Sequence, residues 1–186
     1  MDSPVNSFIS KAAAVGAQVE CCASRELALE LIARLLQTEA ISDQPNGYAV
    51  WAESAMLTSS DKARLAAAVP GLKFDVTREL ASQAKVGISQ MDWALADTGT
   101  VVQVADAVDK RLVSTLPLLH IAFVSKANLL PDLSSLLDRI HPDQAAYFSF
   151  ITGPSRTADI ERVLTIGVHG PERFIVIMVD DLEVAA

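Results

Sequence analysis

Along the first half of the chain, strand-like and helix-like patterning exchange repeatedly, and this constrains the fold more than any single motif. Residues 17–22 read as a short strand. From Ser24 as N-cap, Leu27, Leu31 and Leu35 with Ala28, Ile32 and Leu36 mark one broad face of a helix to about residue 38. Tyr48 to Trp51 reads as a strand, residues 60–69 as a helix closed by Pro70 and Gly71, and residues 72–77 as another strand. Strands separated by helices of this length need crossover connections, which pair the strands in parallel and lay helices over the sheet. The expected class is α/β, a mostly parallel open sheet with helices on both faces.

The second half adds a different rhythm. Residues 92–97 and 100–104 are both extended in character and are separated only by Thr98 and Gly99, which predicts a tight, central β-hairpin. Residues 110–115 form a short turn or helix, and residues 118–124 are a continuous apolar run of the kind buried on both sheet faces. Leu133, Leu136, Leu137 and Ile140 fall at helical spacing, so residues 131–140 read as a helix. Residues 147–151 read as a buried strand broken by Gly153 and Pro154; a helix capped by Ser155 or Thr157 follows, with Asp159 and Glu161 in its first turn. A last strand at 174–179 completes a strand–helix–strand unit. The 186 residues suit one domain, with residues 7–16 as a helix in a loosely attached N-terminal segment, 1–16.

Composition narrows the function classes. Hydrophobic residues make up 51% and charged ones 20%, the balance of a folded chain rather than a disordered one. The net charge of −8, without any basic run, argues against a nucleic-acid partner, whose phosphates an acidic surface repels. No apolar run approaches the roughly 20 residues of a membrane helix, and Met1 to Pro4 open without a basic, apolar leader, so a cytoplasmic location without membrane contact is expected. Cys21 and Cys22 are adjacent and point to opposite faces of a strand, whereas iron–sulfur clusters take about four thiolates. His120, His141 and His169 are dispersed, without metal-ligand spacing. No cofactor or metal is therefore expected on this chain.

Two constellations carry candidate chemistry. A helix entered at Ser155 to Ala158 would present free N–H groups and a positive dipole end, and Arg156 would add a forked cationic donor. Gly153, Pro154, Ser155, Arg156, Thr157 and Asp159 thus predict a site for a small carboxylate or phosphate. Asp97, Thr98, Gly99 and Thr100 at the hairpin turn could hold a polar ligand, with Asp97 as acceptor or base. His169 lies in the loop from Gly167 to Pro171, where an imidazole can act as acid, base or donor and Gly170 allows close backbone approach. Each has a plainer alternative: a Gly-Pro turn, a hydroxyl-stabilised turn, or a histidine fixing its own loop. His120 reads as a core residue and His141 as solvent-facing; Arg111, Asp180 and Asp181 are further candidates.

Gly153 to Glu161 together with Gly167 to Pro171 resembles the C-terminal signature of the LUD-domain family, the lactate-utilisation C-type proteins. The likeness extends to Val86–Ser89, Ala96–Val102 and Leu116–Ile121, covering roughly residues 84–180. It implies a fold similar to that of sugar-phosphate isomerases and coenzyme A transferases, with sites at the C-terminal ends of strands. It further implies an accessory or substrate-handling subunit of L-lactate oxidation, partnered by iron–sulfur subunits and binding a small anion. A stand-alone isomerase or acyl/CoA transferase and a non-catalytic interaction module are the alternatives. The family usually carries glutamate where this chain has Asp97, so the carboxylate is kept on a shorter side chain.

Overall fold

The structure is a computed structural model that describes residues 3–141, 143, 145–158, 164–167 and 169–182. Its first half follows the expected alternation in α1 (Pro4–Ala14), β1 (Gln18–Cys22), α2 (Arg25–Thr38), β2 (Tyr48–Trp51) and α3 (Ser59–Ala68). The strand expected over 72–77 is only β3 (Leu72–Lys73), and Thr77 caps a helix not expected there, α4 (Arg78–Ser82). The second half holds β4 (Ala84–Met91), β5 (Trp93–Leu95), β6 (Thr100–Val104), α5 (Val108–Thr115), β7 (Leu119–Ser125), β8 (Leu129–Leu130) and α6 (Leu133–Leu137). It closes with β9 (Phe148–Ile151), β10 (Arg156–Ala158), β11 (Leu164–Ile166) and β12 (Arg173–Val179). Local chemistry sets several of these boundaries. Ser24 caps α2 by accepting from Leu27 N at 3.2 Å. Thr58 and Asp61 form a reciprocal capping box on α3.

The main sheet has six strands in the order β1-β12-β7-β4-β2-β3, and every pairing in it is parallel. Alternation along the strands builds two cores. On one face, Trp51, Val86, Ile88, Ile121, Phe123 and Ile177 pack beneath Leu29, Ile32 and Leu36 of α2 and Leu65 of α3. On the other, Ala122, Val124, Val176 and Met178 pack against Phe8 and Ala12 of α1 and against Ala94 and Val101 of the hairpin. α4 and α5 cover the remainder of that second face through Ala81 and Val113. The α/β class with helices on both faces is what the alternation predicted.

Several expectations need correction. The hairpin is not inside the main sheet: β5 and β6 belong to a second, four-stranded sheet, β8-β5-β6-β9. Its turn spans four residues, because Leu95 pairs with Thr100 and Gly99 N closes back on Leu95 O at 3.0 Å. The N-terminal helix is not loosely attached; Phe8 and Ala12 are fully buried, and Ser7 Oγ donates to Ala96 O at 3.0 Å. The run 147–151 is an edge strand of the second sheet rather than a buried one, with Phe150 47% exposed.

A further correction bears on function. Where a helix start was expected, Arg156–Ala158 is a strand that pairs antiparallel with Leu164–Ile166. Thr157 faces Thr165 and Arg156 faces Ile166, so β-branched residues occupy both arms, as extended pairing prefers. Among the described residues there is accordingly no helix between β9 and β12. Asp159 and Glu161 lie outside the described residues. The helix expected over 131–140 is reduced to α6, because Asp132 is an extended N-cap that accepts from Ser135 N and Asp138 already forms the C-cap.

Candidate functional site

The structure brings the two sequence constellations onto one strip. Thr100 Oγ1 donates to Thr98 Oγ1 at 2.8 Å and lies 2.8 Å from Thr152 Oγ1, joining the hairpin turn to the loop that follows β9. Thr100 is buried, while Thr98 and Thr152 are exposed. Asp97 stands beside them, exposed, its own N–H bonded to Pro131 O at 3.1 Å. The strip continues through Gly153 and Pro154 to Ser155 and Arg156, and Gly170 abuts Ser155. His169 is exposed in the adjoining turn. Among the described residues no hydrogen bond or ion pair joins Asp97 to His169.

What the signature glycines accommodate is the protein's own N-terminal helix. Gly99 has φ +69°, and a β-carbon there would stand 2.3 Å from Ala12 N. Gly153 has φ +79°, and a β-carbon there would stand 2.7 Å from Val15 O. Both positions need the left-handed conformation and a bare α-carbon at once, which only glycine supplies without strain. The Arg156 guanidinium donates to Val15 O, tying the same loop to the end of α1. Ser155 N–H is also spent, on Pro171 O at 2.9 Å, and Ser155 O accepts from Gly167 N at 3.0 Å.

The anion cradle expected from a helix terminus is therefore not formed in that way. Without a helix at 156–158 there is no dipole end and no row of unbonded N–H groups, and Thr157 is a strand residue. What remains for an anion is the guanidinium itself, which has five N–H donors. The location also differs from the fold analogy. The loops contact Val15 and Gly16 ahead of β1, Pro171 ahead of β12 and Thr115 ahead of β7, so they gather at the strands' N-terminal ends.

The remaining candidates resolve into structural roles. Arg111 donates to Asp106 O at 2.8 Å and lies over the Tyr147 ring at 5.1 Å. Asp181 Oδ1 accepts from Arg25 N at 2.7 Å, capping α2 from a distant part of the chain, and Asp180 pairs with Lys126 at 3.0 Å. His120 is a core residue, as expected. Its Nε2 meets Ser89 Oγ at 2.8 Å and its ring stacks on Phe174 at 5.2 Å. Among the described residues its Nδ1 has no hydrogen-bond partner, and burial lowers its pKa to about 3. His141 is exposed.

Sequence reasoning missed the opposite edge. At the carboxyl ends of the main-sheet strands, one crevice of about 320 Å³ is lined by Arg25, Glu26, Met56, Thr58 and Asp181. A neighbouring one of about 170 Å³ is lined by Glu53, Ser54, Gln90, Asp92 and Lys110. The two share Ala55. The signal available in sequence was only the general rule that ligands favour such edges, because these residues are far apart along the chain and form no motif.

Comparison with known proteins bears on the whole chain. No helix among the described residues is long and apolar enough to cross a membrane. The chain is 41% identical over 109 residues to Lactate utilization protein C of Halalkalibacterium halodurans, 55% of this chain and 47% of the relative. It is 40% identical over 114 residues to Lactate utilization protein C of an Exiguobacterium species, 58% of this chain and 50% of the relative. The matched stretch is thus about half the length of these relatives. A crystal structure of a DUF162 family protein from Deinococcus radiodurans superposes with a TM-score of 0.63 at 18% identity, covering 95% of this chain and 96% of that one, which establishes the fold alone. The profile of the LUD domain matches residues 5–179, nearly the whole length, and the chain belongs to that family.

Proposed function

We propose that this chain serves lactate utilisation as an accessory or substrate-handling subunit that presents the strip from Asp97 to Arg156 to a small carboxylate. The relatives named above support the pathway. The observation that carries the site is the link between Thr100 and Thr152, which sets Thr98, Thr152 and the exposed Arg156 along one surface. One guanidinium N–H is committed to Val15 O, and among the described residues no other partner takes the remaining donors, which suit a carboxylate. Asp97 and His169 flank the strip as acid–base candidates.

Oxidising a 2-hydroxy acid to a 2-oxo acid removes two electrons and two protons. The chain's two cysteines fall well short of the four or so thiolates of an iron–sulfur cluster, so the proposal places the electron acceptor on iron–sulfur partner subunits. A charge-assisted hydrogen bond contributes about 1.5–3 kcal/mol, so an open strip alone reaches no tighter than about millimolar. A partner's surface closing over it is what would raise the affinity.

Thermal denaturation with L-lactate, pyruvate, phosphosugars and acyl thioesters, on wild type and Arg156→Ala, tests this reading. The expected result is a small rise in Tm with lactate or pyruvate that Arg156→Ala removes. Flat melting for every ligand, with complex assembly weakened by Arg156→Ala, would instead favour a non-catalytic interaction module, for which the contacts between the glycine loops and α1 are a precedent within the chain. Turnover of a phosphorylated or thioester substrate by the chain alone, lost in Asp97→Asn, would favour an isomerase or transferase.

A further inference from the structure

At the carboxyl ends of β2 and β4 the chain leaves the main sheet in opposite directions. After Trp51 it passes to the face covered by α2 and α3; after Met91 it turns to the face covered by β5 and β6. In parallel α/β sheets such a parting of connections opens a crevice in which ligands bind. Here it has a volume of about 170 Å³. With each water taking about 30 Å³, that is room for a solute of about six heavy atoms.

The polar groups lining it are held in defined orientations. Gln90 Oε1 accepts from Ser54 Oγ at 2.8 Å and from Met56 N at 3.3 Å. A backbone N–H can only donate, so the amide oxygen is identified, and among the described residues nothing accepts from the Gln90 NH2. Lys110 Nζ donates to Val104 O at 3.0 Å, and Asp92 Oδ2 accepts from Val104 N at 2.6 Å. These two side chains grip the same residue without forming an ion pair with each other, so each keeps capacity for a further partner. Burial pushes the Asp92 carboxyl above its usual range, opposed by the Val104 N–H and the Lys110 charge, the mark of a carboxylate short of neutralisation.

We propose that this crevice binds a small zwitterion of the α-amino acid class, its carboxylate on Lys110 and the Gln90 amide and its ammonium on Asp92. Charge decides between this and a simple anion of the same size. Asp92 lines the same crevice as Lys110, so a simple anion drawn to Lys110 would leave this carboxylate without a cation, whereas a zwitterion satisfies both. Glu53 is already matched by Lys62 Nζ at 2.6 Å, which leaves Asp92 as the carboxylate that needs the ligand's ammonium. The site stands at the other end of the main-sheet strands from the signature loops and does not depend on the lactate reading.

L-Alanine and L-lactate make a matched pair of probes, because they differ in one group, ammonium against hydroxyl. Calorimetric titration and thermal denaturation of the full chain are expected to show millimolar binding of L-alanine or L-serine and none of L-lactate at this site. Lys110→Met and the near-isosteric Asp92→Asn, which keeps an acceptor for Val104 N–H, should each weaken amino-acid binding about tenfold. Arg156→Ala should leave it unchanged, whereas any lactate response removed by Arg156→Ala belongs to the signature strip. No response to either amino acid, or a response that both Lys110→Met and Asp92→Asn retain, overturns the assignment.

Discussion

The two ends of the main-sheet strands have been put to different use. At the N-terminal ends the motif-rich loops are drawn tight: Gly99 and Gly153 lie against the backbone of α1, and Arg156 and Ser155 spend hydrogen bonds on neighbouring carbonyls. At the carboxyl ends no motif is present, yet the loops part and leave crevices, and in the smaller one Asp92 and Lys110 keep capacity for a further partner. A glycine-dense motif therefore reports first that two backbones come close, and the neighbour can be the protein itself rather than a ligand. Polar side chains gathered from distant segments are a separate signal, invisible until the sheet is assembled.

The largest expected effect tests whether the first edge is held by α1. Phe8→Ala removes a fully buried ring from the core shared by α1 and the main sheet, and should cost about 3–5 kcal/mol in urea unfolding. A loss below about 1 kcal/mol would mean that α1 contributes little and the comparison fails.

Next comes Gly99→Ala, which combines a positive φ with a β-carbon 2.3 Å from Ala12 N. The loss should be about 2–4 kcal/mol, and α1 amides should exchange faster with solvent. Unchanged exchange in α1 would show that the glycine serves the turn alone.

A third measurement sharpens the contrast between spent and unspent polar groups in the core itself. His120 is fully buried, and its folded pKa of about 3 lies below the 6.5 of an unhindered imidazole. The unfolded chain therefore takes up a proton that the folded chain refuses, and stability falls as pH drops below 6.5 until it reaches the folded value. From pH 7 to about pH 5 the loss should be about 2 kcal/mol, and His120→Gln should flatten that slope. A slope that survives the substitution would assign the effect to other groups.

The smallest effect is expected from Arg156→Ala, because its partner is a carbonyl at an exposed position. A cost under about 1 kcal/mol is consistent with a residue kept for a ligand or partner; a larger one would make it part of the α1 clamp.

Much of the framework was readable without coordinates. The N-cap at Ser24, the apolar face of α2, the strand at Tyr48–Trp51 and the continuous apolar run of β7 are local patterns, and each element formed within a residue or two of its expected limits. The helix misread at 156–158 shows where local reasoning stops: capping residues and early acids suit a helix start, but pairing of Thr157 with Thr165 decided otherwise. The candidate site was half legible. Thr98, Thr100 and Arg156 were named from sequence, and the structure added Thr152 as the link to Thr100, while their cover by α1 had no signal in residues 7–16 beyond Phe8 and Ala12 being apolar.

By itself the sequence determined the class, the crossover connections and the acidic character, because periodicity, cap chemistry and net charge are properties of neighbouring residues or of simple sums. Only the tertiary structure decided that the hairpin builds a second sheet, that α1 closes on the signature glycines, and that Gln90, Asp92 and Lys110 converge. Those outcomes depend on contacts between segments far apart in the chain, whose energies no local pattern encodes.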